Sequence, residues 1–215
     1  MLVPFSVTDF IKRAELVYGE RIGVVDEPDQ PAASLGELTY AGFAAKARAL
    51  AARIEQLGIG VGERVAIVSH NSARLLTAFY GVCGYGRVLV PVNFRLSPDE
   101  VSYIVEHCGA RVLFLDPELE ESLAGVTCEH RFLLGDDDAL YDDATAPTPW
   151  EPDENATATI NYTSGTTARP KGVQLTHRNL STLSESTEGV IAFPDRGGRV
   201  ISWLPAAHIA ERGAH

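Results

Sequence analysis

The chain has 215 residues, of which 45% are hydrophobic and 22% charged, as is typical of a soluble globular protein. A chain of this length can form one large domain or two small ones. Acidic residues outnumber basic residues by 29 to 18, which gives a formal net charge of −11. A field of that sign repels nucleic acids and anionic membrane surfaces, so we expect neither as a partner.

The cysteine and hydropathy patterns predict a cytoplasmic protein without a metal site built from its own side chains. Cys83, Cys108 and Cys128 lie far apart and show no zinc-ligand spacing, so we expect free thiols in a reducing compartment. The N-terminal residues lack the basic and apolar regions of a signal peptide. No apolar run reaches the ~20 residues that a membrane-spanning helix needs.

Strands and helices alternate along most of the chain. Apolar residues at helical spacing, next to capping residues, predict five helices, one from Val7 onward and four at 41–57, 71–83, 97–109 and 177–192. Short apolar runs between turn residues predict eight strands, at 21–27, 37–40, 64–70, 87–93, 111–116, 157–163, 172–177 and 199–205. Apolar strands separated by helices favour an α/β fold with mostly parallel sheets flanked by helices.

A change in composition divides the chain into three parts. Residues 135–156 are acidic and rich in proline and alanine, which predicts an exposed linker. We therefore expect a first α/β subdomain at 1–134 and the start of a second subdomain, with a phosphate loop, at 157–215. The aspartates of the linker do not follow calcium-loop spacing, so we interpret them as a solvated acidic loop.

The stretch "YTSGTTARPKGV" (162–173) has the chemistry of a polyphosphate cradle between two predicted strands. Its hydroxyl groups can donate hydrogen bonds to phosphate oxygens, and Gly165 lets the backbone approach a ligand closely. Arg169 and Lys171 add positive charge on either side of Pro170. The pattern is not the common P-loop, because lysine is followed by glycine and by a predicted strand instead of Ser or Thr and a helix.

The same stretch resembles the phosphate-binding signature of the adenylate-forming superfamily, which includes the acyl-CoA synthetases. One position differs, since Ala168 stands where many members carry glycine. The segments "GVGERVAIVSHNS" (60–72) and "WLPAAHIAER" (203–212) are similar to parts of the fatty acyl-CoA synthetases. The resemblance covers essentially the whole chain and implies the front part of the large N-terminal domain of these enzymes.

The resemblance implies a two-step reaction. A fatty acid or another carboxylate attacks the α-phosphate of ATP to give an acyl-adenylate, and the thiol of CoA then displaces AMP. By similarity, the β- and γ-phosphates would be held by Thr163, Ser164, Gly165, Thr166 and Thr167, with help from Lys171. Mg²⁺ would bridge the phosphate oxygens, and His208 would lie near the reacting carboxylate or at the wall of the acyl pocket.

The resemblance also implies segments that have no counterpart in this sequence, namely the adenine-binding loop, an acidic magnesium ligand and a C-terminal domain with a catalytic lysine. We therefore expect an N-terminal portion that is inactive alone. Two alternatives stay open at this stage. In the first, the chain is a non-catalytic nucleotide- or acyl-binding module or half of a split enzyme with a separate C-terminal chain. In the second, it is a fragment of an aryl- or amino-acid-adenylating enzyme.

Overall fold

The computed structural model describes residues 4–142, 145–163, 169–190 and 198–202. In this part of the chain the helices are α1 (Val7–Tyr18), α2 (Tyr40–Gln56), α3 (Ala73–Cys83), α4 (Pro98–Cys108) and α5 (His177–Val190). The strands are β1 (Ile22–Val25), β2 (Glu37–Thr39), β3 (Arg64–Val68), β4 (Val88–Val92), β5 (Ala110–Leu115), β6 (His130–Leu133), β7 (Thr157–Thr163) and β8 (Lys171–Thr176). Two short 3₁₀ helices lie at Pro117–Leu119 and Asp138–Tyr141.

A six-stranded sheet in the order β6-β5-β3-β4-β7-β8 forms the centre of the fold. The first five strands of that order run parallel, and β8 returns antiparallel to β7. Strands β1 and β2 form a separate antiparallel pair. The prediction of an α/β fold with a mostly parallel sheet is confirmed.

Helices cover both faces of the sheet because successive side chains of each strand point to opposite sides. In β3, Val65 and Ile67 pack in one apolar cluster with residues of α2 and α3. Ala66 and Val68 belong to a second cluster, which includes Val101 and two further buried residues of α4. A third cluster joins α1 to β2, α2 and α3.

Helix α4 has the caps that its sequence predicts. Ser97 accepts a hydrogen bond from the backbone N–H of Glu100, whose carboxylate accepts one from the backbone N–H of Ser97 at 2.9 Å. Gly109 ends the helix in the left-handed conformation, at φ 63°. These local signals fix both ends of α4 on the sheet face that it covers.

Part of the acidic segment 135–156, for which an exposed linker was predicted, is buried. Leu140 and Tyr141 are buried in the first apolar cluster, and the guanidinium of buried Arg74 pairs with Asp138. The predicted subdomain boundary does not interrupt the sheet, because β7 pairs with β4. The Asp138–Tyr141 part of the segment therefore packs against α2 and α3, whereas most of 145–156 is exposed or half-buried.

Two further elements differ from prediction. Strand β6 was not predicted, and it is defined mainly by its pairing with β5. A strand was expected at 199–205, but the described part of it, 199–202, belongs to no strand. That segment is attached instead through Ser202, whose hydroxyl accepts a hydrogen bond from the Asn71 amide at 2.8 Å. Among the helices that the structure describes, none has the length and apolarity needed to cross a lipid bilayer.

Candidate functional site

The carboxyl ends of β3, β4, β5 and β7 meet at one edge of the sheet, because these four strands run parallel. In open α/β sheets, ligands bind in the crevice outside this edge. Strand β7 ends at Thr163, the first hydroxyl residue of the predicted phosphate loop. The fold therefore puts the beginning of the loop where an α/β protein is expected to bind its ligand.

The two ends of the loop are paired across neighbouring strands. Thr163, the last residue of β7, is the register partner of Lys171, the first residue of β8. Both side chains are exposed, as is that of Arg169. A hydroxyl donor and two cations thus lie at the two ends of the loop. Because their side chains are exposed, the two positive charges are not desolvated by burial.

The other predicted site residues lie outside the described part of the chain. They are Ser164, Gly165, Thr166, Thr167 and His208. Their roles stay predictions, and Ala168 also lies outside the described residues. The structure thus brings together Thr163 and Lys171 from the predicted set.

Sequence reasoning missed a polar group at the same edge, beyond the ends of β3, β4 and β5. Asp116 is buried directly after β5, and its carboxylate accepts a hydrogen bond from the backbone N–H of Glu118 at 3.1 Å. The imidazole of His70, just after β3, lies 3.1 Å from the carboxylate of Glu118. The same ring packs against that of Phe94 with a tilt of 40° between the ring planes and 4.0 Å between the centroids. Polar residues immediately after buried strands were the signal that could have identified this group.

A magnesium ion is implied by the resemblance to the adenylate-forming enzymes, and its binding to this chain stays a prediction. Searched over the described residues, the chain has no group of three His, Cys, Asp or Glu side chains placed to hold a metal. Mg²⁺ commonly binds through substrate phosphates, water and few protein ligands. Thr163 and Lys171, which are register partners in the backbone, carry a hydroxyl and an ammonium group that can bind phosphate oxygens.

Comparisons with characterised proteins agree with this geometry. The chain is 37% identical over 187 residues to a long-chain-fatty-acid–CoA ligase of Thermus thermophilus, a match that covers 81% of this chain and 34% of the relative. It is 31% identical over 232 residues to a 3-methylmercaptopropionyl-CoA ligase of Ruegeria pomeroyi, covering 97% of this chain and 42% of the relative. The chain therefore spans well under half the length of these two relatives.

Solved structures of similar fold include members of the same classes of enzyme. The N-terminal domain of FACL13 from Mycobacterium tuberculosis, with a bound inhibitor, superposes with a TM-score of 0.86 at 27% identity, over 97% of this chain and 53% of that domain. The o-succinylbenzoate CoA synthetase of Bacillus subtilis, in complex with its acyl-adenylate intermediate, superposes with a TM-score of 0.80 at 25% identity. The family model of the AMP-binding enzymes matches residues 20–214. The chain therefore belongs to the AMP-binding enzyme family.

Proposed function

We propose that this chain binds the phosphates of ATP for an AMP-forming acid–thiol ligase that activates a fatty acid and transfers it to CoA. The observation that carries the proposal is the pairing of Thr163 with Lys171 at the carboxyl edge of the parallel sheet. The 37% identity to a long-chain-fatty-acid–CoA ligase supports a fatty acid as the carboxylate. The number and spacing of Cys83, Cys108 and Cys128, which suggest neither a disulfide framework nor a zinc site, support a reducing cytoplasmic location.

Charge explains what the loop would contribute. A carboxylate and a triphosphate repel each other, and the net charge of −11 on the protein disfavours the binding of either anion. Cations and hydroxyl donors at the loop would neutralise the phosphates and align the α-phosphate for attack. Lys171 would supply a point charge, Thr163 a hydroxyl donor and Arg169 a second cation. Mg²⁺, when bound with ATP, would neutralise phosphate charge further.

A second candidate substrate class has specific support. The chain is 36% identical over 146 residues to a feruloyl-CoA synthase of an Amycolatopsis species and 31% identical over 183 residues to surfactin synthase subunit 3 of Bacillus subtilis. These identities are similar to that of the fatty-acid ligase. An aryl or amino acid is therefore the alternative carboxylate, and a panel of fatty, aryl and amino acids would separate the candidates.

The proposal is tested by measuring Mg·ATP binding and carboxylate-dependent pyrophosphate release in the full native protein. Lys171→Met removes the ammonium but keeps an unbranched side chain. Because hydrogen bonds to charged groups contribute about 1.5–3 kcal/mol, the affinity for Mg·ATP should fall by about 10- to 100-fold. Lys12→Met is the matched control, since Lys12 is an exposed lysine on α1, outside the loop.

Equal affinity in wild type and Lys171→Met would contradict the proposal. Pyrophosphate release with fatty acids but not with aryl or amino acids would establish the substrate class. Pyrophosphate release with aryl or amino acids but not with fatty acids would leave the proposed phosphate site standing. It would make the aryl or amino acid the substrate in place of the fatty acid. Because Lys171 is exposed, the melting temperature should not change, so a loss of affinity would not reflect unfolding.

A further inference from the structure

Helix α4 carries two ring side chains that face the ends of the predicted phosphate loop. Tyr103 and His107 are four residues apart, a spacing that puts side chains on the same face of a helix. Their ring centroids are 5.2 Å apart. Neither residue belongs to the signature from which the loop was predicted, and neither has a role in the proposed chemistry.

His107 contacts the residue that leads into the loop. Its Nδ1 and the phenolic oxygen of Tyr162 share a hydrogen bond of 2.7 Å, and the two rings meet edge to face at 5.8 Å. Tyr162 immediately precedes Thr163. Burial raises the pKa of Tyr162 to about 12, so the phenol keeps its proton at neutral pH.

Tyr103 contacts the residue at the other end of the loop. The guanidinium carbon of Arg169 lies 5.1 Å from the centroid of the Tyr103 ring, within the range of a cation–π interaction. Pro170 joins Arg169 directly to Lys171. One helical turn therefore touches the entry of the loop through Tyr162 and its exit through Arg169.

The residues that make these contacts are supported by the packed core of the fold. Helix α4 is capped at both ends, and Ile104, between the two ring residues, is fully buried against the sheet. The Tyr162 ring lies over Gly172, its register partner, where an added Cβ would come within 3.2 Å of the ring. The ring positions are thus set by the core of the fold.

We propose that Tyr103 and His107 are positioning residues that hold Arg169 and Tyr162, and through them the Lys171 and Thr163 ends of the loop, ready to receive a triphosphate. We call this pair the α4 clamp. The inference rests on the proposed function, because it assigns the loop to ATP phosphates. Its physical basis is preorganisation: a loop whose ends are already ordered loses less entropy when a ligand binds.

Matched substitutions separate positioning from simple packing. Tyr103→Phe keeps the ring face that Arg169 contacts, whereas Tyr103→Leu removes it. His107→Asn keeps a polar atom near the position of Nδ1, whereas His107→Leu does not. A positioning role would be disturbed by the leucine variants only, without a matching change in melting temperature. A packing role would instead lower the melting temperature of each variant in proportion to its effect on the loop.

The first readout is steady-state kinetics of the full native protein with Mg·ATP as the varied substrate. An exposed cation–π contact contributes about 0.5–1 kcal/mol, so Tyr103→Leu should raise the KM for Mg·ATP about two- to fivefold. His107→Leu, which removes one hydrogen bond, should have an effect of about the same size. The turnover number should not change, because the contacts would order the loop equally in the ground state and the transition state.

The second readout does not need ATP. Hydrogen exchange of the backbone amides in 163–171, measured in the ligand-free protein, should be faster in both leucine variants than in wild type, Tyr103→Phe and His107→Asn. Unchanged exchange in the leucine variants would overturn the α4 clamp, whatever the protein binds. An equal rise of KM in all four variants, following their melting temperatures, would also overturn it.

The two hypotheses can fail separately. Suppose that wild type binds no Mg·ATP but that hydrogen exchange in the loop is faster in the leucine variants. The proposed function then fails, whereas the α4 clamp still orders the loop, for a ligand other than ATP. If wild type binds Mg·ATP and the leucine variants change neither KM nor exchange, the proposed function stands and the clamp fails.

Discussion

The backbone N–H of Val7 donates a hydrogen bond to Nδ1 of His177 at 3.3 Å, which joins the first residue of α1 to the first residue of α5. The His177 side chain is fully buried, and its ring lies 5.1 Å from that of Trp150. Its Nε2 is buried without a hydrogen-bond partner. An imidazole in such a place is held in its neutral form.

The first prediction is that this histidine makes the protein less stable in mild acid. Burial lowers the pKa of His177 to about 4, against the opposing influence of Asp153 and Asp9. In the unfolded chain the same group titrates near its ordinary value of about 6.5. Between these values the unfolded state binds more protons than the folded state, so stability is complete above about pH 6.5 and falls as the pH is lowered towards 4.

The expected size of this effect is about 2 kcal/mol of unfolding free energy between pH 7 and pH 5. It is measured by urea unfolding of wild type and His177→Gln at both values. The variant has lost the titrating group, so its stability should fall less than that of wild type. Parallel pH profiles for the two proteins would contradict the prediction.

The second prediction concerns the ion pair that anchors the acidic segment. The Arg74 side chain is 1% exposed, and its guanidinium donates to Asp138, with 2.7 Å between Nε and Oδ1, and to the carbonyl oxygen of Ala33. Asp138→Ala would leave this cation buried without its carboxylate. Removing one partner of a buried ion pair typically costs about 3–5 kcal/mol, and we expect a loss of that order in the free energy of unfolding.

Asp142→Ala is the matched control, because Asp142 pairs with Lys46 at the surface and is 69% exposed. Surface pairs contribute about 0–1 kcal/mol, so the control should unfold almost as wild type does. Denaturant unfolding of the two variants checks the comparison. Similar losses in both would show that the buried pair has no special part in holding Leu140 and Tyr141 in the core.

Local signals in the sequence were sufficient for most of the fold. The ends of α4 were predicted correctly because Ser97, Glu100 and Gly109 act within a few residues of one another. The burial of Leu140 was not predicted, because its partners in the first apolar cluster, such as Leu50 and Leu75, lie far away in the sequence. Strand β6 was missed for a similar reason, since a short segment of mixed polarity becomes a strand only beside β5.

In the candidate site, too, local sequence signals predicted some residues, and contacts between distant residues determined the others. The signature identified Thr163 and Lys171, and the strand pattern predicted that they flank a turn between β7 and β8. Nothing local linked His107 to Tyr162, because the two residues are 55 positions apart and meet only when α4 covers the sheet. A sequence motif therefore revealed the residues proposed to touch the ligand, whereas the residues proposed to hold them required the tertiary structure.

The third prediction concerns the close approach of α2 and α3. Gly81 lies on α3, and an added Cβ there would come within 2.7 Å of the carbonyl oxygen of Ala47 and 3.1 Å of a methyl carbon of Leu50. In an isolated helix, alanine is about 1 kcal/mol more favourable than glycine. The helix backbone cannot yield as a flexible side chain can, so the overlap should outweigh that gain and Gly81→Ala should cost about 1–3 kcal/mol of unfolding free energy.

Gly125→Ala is the control for this comparison, because an added Cβ there meets no atom within 4 Å. Thermal or denaturant unfolding should therefore separate a destabilised Gly81→Ala from a nearly unchanged Gly125→Ala. Since α2 and α3 pack on the sheet face opposite α4, the Gly81 variant should keep the affinity for Mg·ATP at temperatures where it is folded. Greater stability in Gly81→Ala than in wild type would mean that the two helices separate easily, contrary to the tight contact seen here.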